Sequence, residues 1–161
     1  MSALVGCSTP TEPAEPTPSF TSEAQAFAAA EETYRAYVDA LNQVDLSDPA
    51  TFEPVFALTT GEANANERKT LSQMHADGWT VTGETRVSSL IGVSSAEDNV
   101  TMMVCSNVAE VGVTDSSGDS VVPPDRPDVY QLEVVFVPAE ATAYSLAISA
   151  SNAVEATTCS D

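Results

Sequence analysis

Met74-His-Ala-Asp-Gly-Trp-Thr-Val-Thr-Gly-Glu-Thr-Arg-Val-Ser-Ser-Leu-Ile-Gly-Val93 holds the point where the chain stops reading as helix and starts reading as strand. Up to Asp77, Leu71 and Met74 recur at helical spacing. Gly78 is the expected left-handed stop, and Trp79 folds back on Met74 as the apolar contact of such a cap. Beyond Trp79 the period falls to two. Val81, Thr85, Val87, Ser89, Ile91 and Val93 alternate with Thr82, Glu84, Arg86 and Ser88, which predicts one long half-buried strand.

Upstream of this switch the domain reads helical. Ser22 with Gln25 makes a capping-box start. Phe27, Ala30, Tyr34, Tyr37, Val38 and Leu41 then recur at three- and four-residue steps, an apolar stripe along one long helix. Asp48-Pro49 announces a second, short helix with Phe52, Val55 and Phe56 on its apolar face, and Pro54 delays its start. Thr60-Gly61-Glu62 opens the third.

Downstream, Ser95–Asn99 is a turn, and Val100–Val113 is the next strand. Asp115-Ser-Ser-Gly-Asp119 is a hairpin loop, and Pro123-Pro-Asp-Arg-Pro127 interrupts the chain before a strand over Val129–Val137. The last strand runs Tyr144–Val154. The plan is α+β: three N-terminal helices packed on a curved, mostly antiparallel sheet of about four strands, cone-like in outline.

The N-terminus gives an address. Leu4-Val-Gly-Cys7 is a bacterial lipobox, and Cys7 is the expected lipid attachment site. Residues 1–7 read as the remnant of a lipoprotein signal. The apolar run before Cys7 is short and carries no Lys or Arg, so the true start of the signal is expected upstream. Residues 8–20 form a Pro/Thr-rich tether, extended at about 3 Å per residue. Residues 21–161 form a single domain. Two acyl chains on one cysteine suffice for stable anchoring. The expectation is a protein on the outer face of the cell membrane, held there by lipid and not by a spanning helix.

The chain carries 24 acidic and 5 basic residues, a formal net charge of −19, which argues against nucleic acid or anionic lipid as a partner. Cys105 and Cys159 are the two cysteines of the folded part. In an oxidising compartment such a pair reads as a disulfide, against the rival reading of a catalytic or metal-binding thiol. With one His and no adjacent Cys, no metal is expected. No cofactor motif stands out either. Asp115–Asp119 faintly suggests a calcium loop, but the positions that need Gly and Glu hold Ser120 and Arg126.

The order of elements resembles the ketosteroid-isomerase-like (nuclear transport factor 2-like) cone fold. A closer resemblance is to actinobacterial lipoproteins of that shape, carried by Leu4-Val-Gly-Cys7, Ala30-Glu-Glu-Thr-Tyr-Arg-Ala-Tyr37, Val104-Cys105, Asp125-Arg-Pro-Asp-Val-Tyr130 and Cys159. It implies a fold and a cell-surface lipoprotein, and supplies no activity to carry over. Enzymes of the cone fold work in a cavity between sheet and helices, with an acid or imidazole as proton carrier and a donor such as tyrosine opposite it.

Parity and face direct Tyr34, Tyr37, His75, Glu84 and Arg86 toward such a cavity. Each has a plainer role. The tyrosines lie on the core stripe, His75 sits near a helix C-terminus where an imidazole meets the last carbonyls, and Glu84 with Arg86 reads as a solvated pair. The leading expectation is therefore a non-catalytic extracytoplasmic domain that binds a small apolar ligand or an envelope protein. The alternative is an isomerase-, cyclase- or dehydratase-like enzyme using a cavity acid or His75.

Overall fold

The computed structural model describes residues 20–155, 157 and 159. Cys7 and the tether up to residue 19 lie outside the described residues. Helix α1 spans Glu23–Asn42. Ser22 Oγ accepts from the Gln25 amide, while the Gln25 side chain reaches back to the Thr21 amide, one residue earlier than a capping box would have it. Asp48 caps a 3₁₀ turn over Pro49–Phe52, and α2 follows at Glu53–Ala57. Pro54 has no N–H to give the Ala50 carbonyl, so regular α-helix begins only there. Helix α3 spans Gly61–Ala76. It closes as expected, with the Gly78 amide on the His75 carbonyl and the Trp79 amide on the Met74 carbonyl.

The strand predicted after Trp79 is two strands. β1 spans Thr80–Thr82 and β2 spans Arg86–Ser95. The break is at Gly83, whose φ is +77°; a Cβ there would stand 1.9 Å from the Glu110 carbonyl oxygen, so only glycine fits. β1 leaves the main sheet and pairs with β4, Gly112–Thr114. The face of β2 also differs from the simple alternation. Val87 pairs with Ser106 and Ser89 with Cys105, which leaves Ser88 as a bulge. One extra residue inverts the parity beyond it. Leu90 thus packs against the core, whereas Ile91 and Val93 are 50% and 54% exposed.

The strand predicted over Val100–Val113 is likewise divided. β3 ends at Asn107, because the Val111 amide turns back onto the Val108 carbonyl. Arg126 holds this turn, its guanidinium donating to both the Val108 and the Val111 carbonyls at 2.8 and 2.9 Å. β5 spans Val129–Pro138 and β6 spans Leu146–Val154. The main sheet is antiparallel throughout, in the order β2-β3-β5-β6.

Helices cover one face of this sheet. Under α1 lies the principal core, with Tyr34, Val104, Val134 and Phe136 at most 2% exposed. Gly92 lets the helix seat closely, since a Cβ there would lie 2.5 Å from the Phe27 ring. A second cluster of Phe52, Val55, Phe56 and Leu71 joins the helices to one another. Each such side chain, fully buried, stabilises by about 1.5–3 kcal/mol.

The expected disulfide is present: Cys105 and Cys159 are bridged with Cα atoms 5.6 Å apart. Cys159 lies past β6, in a C-terminal segment whose Thr157 amide donates to the Gln131 side chain of β5. Among the described residues no helix is long and apolar enough to cross a membrane.

Candidate functional site

Tyr34 and Tyr37 are one turn apart on α1, with ring centroids 5.7 Å apart. The Tyr37 hydroxyl donates to Glu67 Oε1 on α3, at 2.5 Å. The Tyr34 hydroxyl is hydrogen-bonded to the side chain of Ser106 on β3. Two phenols, a carboxyl and a serine hydroxyl therefore meet where α1, α3 and β3 converge.

Burial governs their charge. Desolvation raises the Tyr34 pKa to about 12, helped by the Glu67 charge and opposed by the bond from Ser106. Tyr37 is raised well above the ordinary phenol value, first by burial and then by Glu67. Glu67 itself is raised, because desolvation outweighs the hydrogen bond from Tyr37. At neutral pH both phenols keep their protons, and Glu67 is the group there whose titration moves toward neutrality. Such an acid can hold or release a proton, but its nearest donor is already committed to it.

The other expected cavity residues lie elsewhere. His75 is two turns beyond Glu67 on α3, about 12 Å along the axis. Its exposed ring bonds through Nδ1 to the Leu46 carbonyl and meets Phe52 edge-on at 6.3 Å. Glu84 sits exposed in the turn between β1 and β2. Arg86 pairs with Glu110 at 2.8 Å, not with Glu84, and both partners are largely exposed. Glu84 falls in the Gly83 turn, outside any strand, and Arg86 alternates with Val87, which packs against the core, so neither points inward.

Glu67 and Ser106 were not among the expected residues, although the sequence carries a signal for each. Ala63, Glu67 and Leu71 stand four residues apart on α3, and Ala63 and Leu71 are its buried positions. An acid between them lies on the inward stripe. Ser106 likewise continues the inward alternation of Met102 and Val104.

Neither of two clefts on the surface of the described residues is lined by Tyr34, Tyr37 or Glu67. The larger, about 650 Å³, lies at the start of α1 beside Phe20, Ser22, Asn99 and Pro138. Twelve residues of helix, about 18 Å, separate Ser22 from Tyr34. The smaller, about 420 Å³, lies on the outer side of α1 near Asp39, Pro54 and Leu58. Among the described residues no group of three or more His, Cys, Asp or Glu side chains gathers as metal ligands would.

Three helices on one face of a four-stranded antiparallel sheet, with the first helix lying across it, decide the architecture. The chain has the cone fold. It matches no protein-family model and no curated protein. Among solved structures it is similar to a candidate aromatic ring hydroxylase from Novosphingobium aromaticivorans, with a TM-score of 0.53 and 10% identity over 83% of this chain and 96% of that one. It is also similar to a Catenulispora acidiphila protein in complex with S-DNPA, with a TM-score of 0.52 and 13% identity over 81% and 93%. A third is the intermembrane-space region of the chloroplast protein ARC6, at 0.52 and 11% over 80% and 96%. At these identities the likeness is one of fold.

Proposed function

We propose that this chain is a lipid-anchored extracytoplasmic lipoprotein whose cone domain serves as a non-catalytic interaction module. The single observation that carries the module reading is the state of the cone's interior. Tyr34, Val104, Val134 and Phe136 fill it, and the hydroxyls that a reaction would use are bonded to Glu67 and Ser106. The cone fold does not decide the matter, since it occurs both in the hydroxylase candidate and in the ARC6 region.

The anchoring is supported by the lipobox at Cys7, by the tether behind it, and by a disulfide that suits an oxidising compartment. Cys7→Ser is expected to move the protein from the membrane fraction to the medium; retention in membranes would remove lipid as the anchor. The same lipid-free variant tests the module reading. Native mass spectrometry of the unreduced protein is expected to give the bare chain, lighter by the two hydrogens of one disulfide. A stoichiometric small-molecule adduct would contradict it.

The second reading, an isomerase- or cyclase-like enzyme, is favoured by one observation, the half-buried Glu67 with its raised pKa against a phenol. It requires the interior to admit an apolar substrate, and the same spectrum would then carry the adduct.

A further inference from the structure

The face of the main sheet turned away from the helices carries a pattern that the fold itself does not need. Met102, Val104, Leu132 and Val134 point under the helices, so Met103 and Glu133 point the other way. Ile91 pairs with Met103, Met103 with Glu133, and Glu133 with Asn152, which makes one cross-strand row over four strands. Ile91 is 50% exposed, and the adjoining Val93 54%. Glu133 is half-buried in the middle of the row, and among the described residues no cation lies within ion-pair distance of it. The described contacts of the disulfide-tied C-terminal segment fall on the neighbouring row, at Cys105 and Gln131.

Charge identifies the kind of occupant. A second copy placed face to face would bring its own Glu133 and a further formal charge of −19. It would bring no free base to answer them. Arg35, Arg68 and Lys69 are on helices of the covered side, Arg86 is paired with Glu110, and Arg126 is bound to carbonyls. Like charges set opposite each other in an apolar contact are costly. We infer that the Ile91–Met103–Glu133–Asn152 row docks a different protein, one presenting an apolar surface with a Lys or Arg placed to pair with Glu133.

Apolar contact at Ile91 and Val93 supplies the attraction, and the acidic domain steers a basic partner toward it. The inference rests on the reading of the domain as an interaction module, and names its surface and the chemistry of its partner.

The test uses the full chain in the cells that produce it. A benzophenone amino acid replaces Ile91, with Ser72 on the exposed side of α3 as the control position. Illumination is expected to join position 91 to another protein, through a peptide that contains Lys or Arg, while position 72 gives no adduct. Glu133→Lys is expected to lower the yield at least tenfold, and the nearly isosteric Glu133→Gln to lower it less. An adduct of twice the chain's own mass would overturn the inference, as would a yield indifferent to Glu133→Lys or no adduct at position 91. An adduct at position 72 alone would overturn it too, yet leave the interaction-module reading standing. That reading fails separately, on a small molecule found in the native mass spectrum.

Discussion

The two faces of the four-stranded sheet are built from the same alternating strands and meet opposite fates. On the inner face Val104, Val134 and Phe136 are fully buried, Tyr37 bonds to Glu67, and Tyr34 to Ser106. On the outer face Ile91 and Val93 stand half in solvent beside Glu133, which has no ion-pair partner among the described residues. The inner face accounts for stability. The outer face retains the unsatisfied apolar and charged groups through which a domain acts on something else.

Substitutions can sharpen or break this contrast. The largest effect is expected inside: Phe136→Ala should cost about 3–5 kcal/mol in denaturant unfolding, because a void remains where the ring lay. Reduction of Cys105–Cys159 should cost about 4 kcal/mol, since the bridge closes a loop of 54 residues in the unfolded chain. A midpoint unchanged by reductant would show that the bridge contributes nothing. Arg126→Ala should cost about 1–3 kcal/mol, as the Val108 and Val111 carbonyls lose their donors. Protection of the Val111 amide from hydrogen exchange should fall with it.

A smaller effect, of opposite sign, is expected at Glu67. Its folded pKa is raised, so the folded state keeps a proton that the unfolded chain has released. Its contribution to stability is then complete below the ordinary carboxylate pKa and is lost as pH rises through the raised value. Glu67→Gln keeps an acceptor for Tyr37 and should stabilise the protein at neutral pH, with the gain vanishing in acid. Unfolding midpoints across the acid-to-neutral range would show it, and a loss at neutral pH would contradict the sign. The smallest change belongs to the outer face. Ile91→Thr should alter stability by no more than about 0.5 kcal/mol, as for other surface substitutions.

Much of this was legible in the sequence. The helical stripe of Ala30, Tyr34 and Val38, the stop at Gly78 and the pairing of Cys105 with Cys159 follow from local spacing and composition. Gly83 and Ser88 were not readable in the same way. A glycine in an alternating run is compatible with a continuous strand, and a serine bulge becomes visible only against the register of its partner strand, β3. That one residue moved Ile91 and Val93 from the expected core to the surface. The site followed the same rule. Tyr34 and Tyr37 were named from the α1 stripe, while Glu67 needed the buried spacing of Ala63 and Leu71 to be weighed on α3, and Arg86 is turned outward by its alternation with the core-facing Val87.

The central claim is that the inner face is sealed and the outer face open. Methyl NMR spectra with a soluble paramagnetic probe test it most directly. The methyl signals of Ile91 and Val93 are expected to broaden strongly while those of Val104 and Val134 stay sharp. Equal broadening of both sets would mean that the cone admits solvent, and the account of its two faces would be wrong.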